Sequence, residues 1–190
     1  MGLRIKTISS VFIFLALLFC CKKESRSVVD MSQRSNIDIA SEFIDAFYSL
    51  DGDTLKSILT HAKESQPNIL YYQKWAECGN YKVIARNDYI IKNDSLVLCP
   101  ITVKDDLISS LGLDFNVTDT FHITITRGQI SSVQTSSNDP DLYYEAKEWV
   151  NQNRPELIEK PCEGIWEGGL TACECVKAMV AGFREFKNSL

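Results

Sequence analysis

Apolar residues recur at helical spacing from Ile37 onward, at Ala40, Phe43, Ile44, Phe47 and Tyr48, which predicts an amphipathic helix. Ser35 or Asn36 is available to cap it. Asp51-Gly52 breaks the run, and Asp53 is placed to cap a second, short helix reaching His61, with Leu55, Ile58 and Leu59 on its buried face. A third helix begins after Pro67, carries Ile69, Leu70, Tyr72, Trp75 and Ala76 on one side, and stops at Gly79-Asn80. The period then changes. Residues 81–91 are rich in Val, Ile and Tyr, Asn93-Asp94 marks a turn, and residues 95–103 return as a partner strand. One or two helical turns follow over residues 105–111, ending at Gly112.

From Thr118 to Thr126 the pattern alternates, with Phe121, Ile123 and Ile125 on one face and Thr120, His122 and Thr124 on the other. Arg127-Gly128 turns the chain, and residues 129–135 pair back. Asp139-Pro140 opens a helix over Leu142 to Asn153 that Pro155 stops, and a last helix runs from Thr171 to Lys187. Helices first, then an antiparallel meander with further helices against it, is an α+β plan.

Ahead of the first helix the pattern has a different meaning. Arg4 and Lys6 precede nine consecutive apolar residues, Val11 to Phe19, and Cys20-Cys21 closes the run before polar Lys22-Lys23-Glu24-Ser25. That order is the one expected of a secretory leader. A membrane-spanning helix needs roughly 20 apolar residues, so the run is too short to remain as a span. Leu18-Phe19-Cys20-Cys21 resembles a bacterial lipobox, in which a cysteine becomes the acylated N-terminus. Cys21 fits better than Cys20, because Leu18 then stands three residues before it and the bulky Phe19 is not the residue just before it. Acyl chains contributing about 0.8 kcal/mol per buried CH₂ would anchor the protein. The expected address is the bacterial cell envelope, at the outer membrane, with the lipid as the membrane partner. Lys22 to Asn36, polar and Ser-rich, reads as a flexible tether.

Without the leader, 18 basic residues stand against 25 acidic ones, a net charge of −7, and no basic run interrupts them. A nucleic-acid partner is not expected, since phosphate neutralisation is the main source of such affinity. Beyond the pair at 20 and 21, Cys78, Cys99, Cys162, Cys173 and Cys175 form an odd set, so at least one stays free unless Cys20 or Cys21 joins. The connectivity is open, with a local bridge from Cys162 to Cys173 or Cys175 favoured by proximity. Cys173-x-Cys175 without a neighbouring histidine is not a zinc pattern, and no metal is expected.

Several motifs resemble the nuclear transport factor 2-like (NTF2-like) superfamily, the cone fold shared with SnoaL-like proteins and ketosteroid isomerase. They are Ile101-Thr102-Val103-Lys104-Asp105-Asp106, Leu111-Gly112-Leu113, Phe121-His122-Ile123 with Gly128-Gln129-Ile130, and Trp149-Val150-Asn151-Gln152-Asn153-Arg154-Pro155-Glu156. The specific likeness is to exported SnoaL-like proteins, and Gly168-Gly169-Leu170-Thr171 extends it more weakly. The resulting division is a leader at 1–20, a tether at 21–36, an NTF2-like domain at 37–156, and a C-terminal loop and helix packing on it at 157–190. The resemblance implies a cavity between a curved sheet and the helices, with Phe47, Tyr48, Tyr71, Tyr72, Trp75 and Phe121 as its aromatic wall; at such spacing these residues also read as core.

Candidate acid/base groups are few. His122, among threonines on a strand, reads as a cross-strand residue and also as a general base near neutral pH. His61, at a helix end, suits the helix dipole. The isomerase chemistry implied by the resemblance needs a carboxylate base with a Tyr and a protonated Asp as donors. Here Asp51, Asp53, Asp94, Asp105, Asp106 and Asp139 fall at caps and turns. No strand interior is expected to carry the required aspartate, Asp88 near a hairpin end being the nearest exception. There is no G-x-S-x-G or P-loop, and no cofactor is expected. The expected role is a tethered domain binding a small apolar ligand or a partner protein. The alternatives are a small isomerase, dehydratase or cyclase using His122 or Asp88, and a structural homodimer through an apolar outer sheet face.

Overall fold

Ser35 starts the first helix by a reciprocal cap: its hydroxyl accepts from Asp38 N at 3.1 Å, and the Asp38 carboxylate accepts from Ser35 N at 3.2 Å. The computed structural model describes residues 34–163 and 173–190. The expected leader with Cys20 and Cys21, most of the expected tether, and Gly168-Gly169-Leu170-Thr171 lie outside the described residues. Helix α1 spans Asn36–Tyr48 and buries Ile39, Ala40, Phe43, Ile44, Ala46 and Phe47. Helix α2, Gly52–Ile58, is capped by Asp51 and not by Asp53, because Asp51 Oδ1 accepts from both Asp53 N and Thr54 N. It ends at Ile58, three residues before the expected His61, where Leu59 O turns to accept from Ala62 N. Helix α3, Gln66–Cys78, takes Pro67 in its first turn, where a missing N–H costs nothing. Its buried Gln73 donates to Ala46 O and Phe47 O at 3.1 and 2.9 Å, satisfying carbonyls at the end of α1.

The apolar stretch after Tyr81 forms two strands, β1 (Lys82–Arg86) and β2 (Ile90–Ile91), both antiparallel to β3 (Leu96–Lys104). Pro100 explains the break between them. Its carbonyl accepts from Asn87 N at 3.0 Å, so its ring nitrogen, which has no hydrogen to give, faces the same gap. Helix α4 (Asp106–Ser110) is capped by Asp105, whose carboxylate accepts from Ile108 N at 2.9 Å. Strands β4 (Val117–Thr126) and β5 (Gln129–Ser137) follow, joined at Arg127 and Gly128, both at positive φ as a tight hairpin requires. The antiparallel sheet has the order β1-β3-β4-β5, with β2 continuing the β1 edge.

Helices α5 (Asp141–Asn153) and α6 (Pro155–Ile158) precede the last described helix, α7 (Cys173–Ser189). Alternation sends Val97, Cys99, Ile101 and Val103 of β3 and Val117, Phe121, Ile123 and Ile125 of β4 inward, against α1, α2 and α3. A second apolar cluster joins α4, α5 and α7 through Leu107, Leu111, Val150, Val176 and Phe183. Leu113 and Tyr143 touch both clusters. Two disulfides fasten α7: Cys78–Cys173 ties it to the end of α3, and Cys162–Cys175 to the segment after α6. Cys99 is the free thiol of the five, and it is buried. The outer face of the sheet carries half-buried Thr118, Thr120, His122 and Thr124 beside Leu96, Leu98 and Pro100, a mixed surface and not an apolar one. The molecule is therefore α+β, with one curved antiparallel sheet and helices over its inner face.

Candidate functional site

Beneath the far end of β4 and β5 the sheet parts from the helices, leaving a cavity of about 390 Å³. Helix α3 supplies one wall, because Tyr71 and Trp75 lie four residues apart and Tyr72 lies beside them; the Tyr71 and Trp75 rings stack with centroids 6.3 Å apart. Helix α5 supplies the opposite wall with Tyr143, Lys147 and Asn151, again at four-residue intervals. Ile158, Cys162, Cys175 and Met179 close the floor, so a disulfide is part of the lining. Tyr81, Asp119, Ser137 and Asp139 bring polar atoms to the sheet side.

Asp119 is the chemical centre of this arrangement. It follows the same parity as Phe121, Ile123 and Ile125, so the strand that sends those rings and methyls inward also sends this carboxyl inward. It is 3% exposed; the hydroxyls of Tyr72 and Ser137 lie beside its carboxyl, but no donor meets its Oδ2 in hydrogen-bond geometry. A buried polar atom left unsatisfied carries a desolvation penalty, and such an atom in a cavity wall is placed to meet a ligand. Burial pushes its pKa up to about 6, with Asp139 and Asp105 adding to the rise and the hydroxyls of Tyr72 and Ser137 opposing it. Asp139 is also raised by burial, against the hydroxyls of Ser137 and Tyr144 and the charge of Lys147.

The phenols around it are held protonated. Burial raises Tyr72 and Tyr81 well above the ordinary tyrosine value, with neighbouring acids adding to the effect. Tyr143 moves the same way for the same reason. The cavity thus presents aromatic faces, the neutral phenols of Tyr72, Tyr81 and Tyr143, the raised carboxyls of Asp119 and Asp139, and Lys147. Chemically, that set can accommodate a molecule with both apolar surface and an oxygen, and a carboxyl there can give or take a proton.

The chain matches no protein-family model, no curated protein and no solved structure.

Of the six aromatic residues expected to form a wall, Tyr71, Tyr72 and Trp75 line the cavity. Phe47 and Phe121 are wholly buried behind Tyr72, with ring centroids 5.2 and 6.0 Å from it. Tyr48 packs against both and keeps a buried hydroxyl without a partner. The two expected bases are placed elsewhere. His122 lies on the outer sheet face with Nε2 2.9 Å from Ser136 Oγ, because odd-numbered positions of β4 face the core. Asp88 is exposed in the loop between β1 and β2. The expectation that no strand interior carries an aspartate is corrected by Asp119. Asp139, expected only as a helix opener, also lines the cavity, as do Tyr81, Tyr143, Lys147 and Asn151. Among the described residues no group of three His, Cys, Asp or Glu is arranged to hold a metal ion.

Proposed function

We propose that this protein is an NTF2-like, SnoaL-like domain that holds a small, largely apolar molecule in the cavity between β4, β5 and helices α3, α5 and α7. In this reading a lipid on Cys21 or Cys20 tethers it in the bacterial cell envelope. The observation that carries the binding role is the unpartnered, buried Oδ2 of Asp119 inside an aromatic cavity. The tether is supported by the Leu18-Phe19-Cys20-Cys21 pattern and the polar stretch after it. Native mass spectrometry of the chain purified from its own membranes tests both parts. A diacyl or triacyl adduct and a noncovalent small molecule are expected, with the latter lost in Trp75→Ala. An unlipidated chain overturns the tether, and a chain that is empty in every preparation overturns the ligand.

A second reading, proton-transfer catalysis of the isomerase, dehydratase or cyclase type, is favoured by one specific feature. Asp119 titrates near pH 6, where a carboxyl serves as acid or base in neutral solution. In this version Asp119, and not His122 or Asp88, is the acid or base, and Tyr72 and Tyr81 donate to the substrate oxygen. Exchange of a carbon-bound hydrogen of the co-purified molecule in D₂O is expected with the native chain and not with Asp119→Asn. Absence of exchange with both leaves binding alone.

A further inference from the structure

β1 and β2 lie end to end along one side of β3 and form a free edge of the sheet. Every residue of both strands is exposed, including Ile84 at 54%, Ile90 at 45% and Ile91 at 58%. With Val83 they make four of the nine large apolar side chains exposed among the described residues, all on this one edge.

The charge around the patch runs against that of the molecule. The whole chain carries −5, yet lysines bracket this edge. Lys82 and Lys104 are register partners across β1 and β3 at one end, and Lys92 follows Ile91 at the other. None of the three makes an ion pair among the described residues, whereas Arg86 between them is held by Asp45 at 2.6 Å. Like charges directly opposite each other on paired strands are destabilising, and an outside anionic surface relieves that repulsion. Asp88 is the one acid in the middle of the edge.

The start of the domain lies at the same place. Asn36 Nδ2 donates to Asp94 O at 2.8 Å, so the chain enters α1 beside the turn from β2 to β3. The twelve residues between Cys21 and Arg34 span at most about 45 Å when fully extended.

We propose that this edge docks on an anionic bilayer, with Ile84, Ile90 and Ile91 entering the headgroup layer and Lys82, Lys92 and Lys104 meeting lipid phosphates. The inference rests on the tether reading, since the lipid anchor supplies the proximity. A second copy of the chain fits the edge less well. Antiparallel self-pairing centred on Ile84 sets Lys82 against Arg86 of the other copy. The register shift between Val83 and Ala85 also interrupts the ladder that an added strand needs.

The test uses the full chain on vesicles of phosphatidylcholine with and without phosphatidylglycerol. A polarity-sensitive fluorophore is placed at Ile91→Cys and, as control, at Glu145→Cys on α5, with the identically treated unsubstituted chain as the blank. Docking is expected to shift the emission at 91 to the blue on the anionic vesicles and to leave 145 unchanged. Lys82→Glu and Lys92→Glu are each expected to reduce the docked fraction about fivefold. Co-sedimentation with no shift at 91 overturns docking and leaves the tether standing, while loss of both removes the two readings together. A shift at 91 that needs no vesicles and grows with protein concentration assigns the edge to a second copy, and overturns the proposal.

Discussion

The free energy of Asp119 depends on its proton. In the unfolded chain an aspartate titrates near 3.8, and in the fold burial raises this one to about 6. Between those values the folded state binds the proton more tightly than the unfolded state. The contribution of Asp119 to stability is therefore fully present below about pH 4 and falls as pH rises to about 6. The shift corresponds to roughly 2 to 3 kcal/mol. Asp119→Asn keeps the size and a hydrogen-bonding group for Tyr72 and Ser137 but cannot ionise. It is expected to leave stability at pH 4 nearly unchanged and to raise it by about 2 kcal/mol at pH 8. Urea denaturation at the two pH values measures this, and equal effects at both would refute the raised pKa. Asp105, also raised to about 6 by burial, keeps part of the slope in the variant. The inward direction of Asp119 was legible in the sequence, one step of the alternation before Phe121. It is passed over when alternation is followed only through apolar residues, because a fully buried carboxyl is rare.

At the scale of elements, most boundaries follow from local chemistry that a sequence carries openly. Ser35 with Asp38, Asp105 before α4 and the Arg127-Gly128 hairpin are of this kind. The split of β1 from β2 is not, because it depends on Pro100 in the neighbouring strand. Nor is the Cys78–Cys173 bridge, whose partners are 95 residues apart, whereas Cys162–Cys175 closes only 13. The packing of α5 on α7 is likewise tertiary. A Cβ added at Gly182 would stand 2.6 Å from Val150 Cγ2. Alanine there gains about 1 kcal/mol in helix propensity, while forcing the two helices apart costs about 1 to 3 kcal/mol. Gly182→Ala is expected to be net destabilising by about 1 kcal/mol. Combined with Val150→Ala, which removes the obstructing methyls, it is expected to cost less than the sum of the single changes by about 1 kcal/mol. A double-mutant cycle in urea measures this, and strict additivity would show that the helices do not meet at Gly182.

At the scale of the molecule, the cavity lies where two apolar clusters meet, and only one of them includes the sheet. The other depends on α7, whose first turn carries both bridging cysteines, Cys173 and Cys175. With the bridges intact, α7 can fray from its C-terminal end, but its N-terminal half cannot leave without α3 or the segment after α6. With both thiol pairs reduced, the whole helix can detach while the inward faces of β3 and β4 stay packed against α1. Closing loops of 13 and 95 residues constrains the open chain by about 3 to 5 kcal/mol each in the entropic account. Hydrogen exchange read by mass spectrometry, with and without a reductant, follows each half separately. Reduction is expected to lower protection over residues 175–182 by about a hundredfold or more, and over residues 97–103 and 117–125 by much less. A uniform loss would mean that the two clusters open as one unit. The expected asymmetry would mean that the cavity floor, formed by Cys162, Cys175 and Met179, is held in place by covalent bonds that persist only in an oxidising compartment. On that outcome the cavity would stay closed where the two disulfides are oxidised and open where they are reduced.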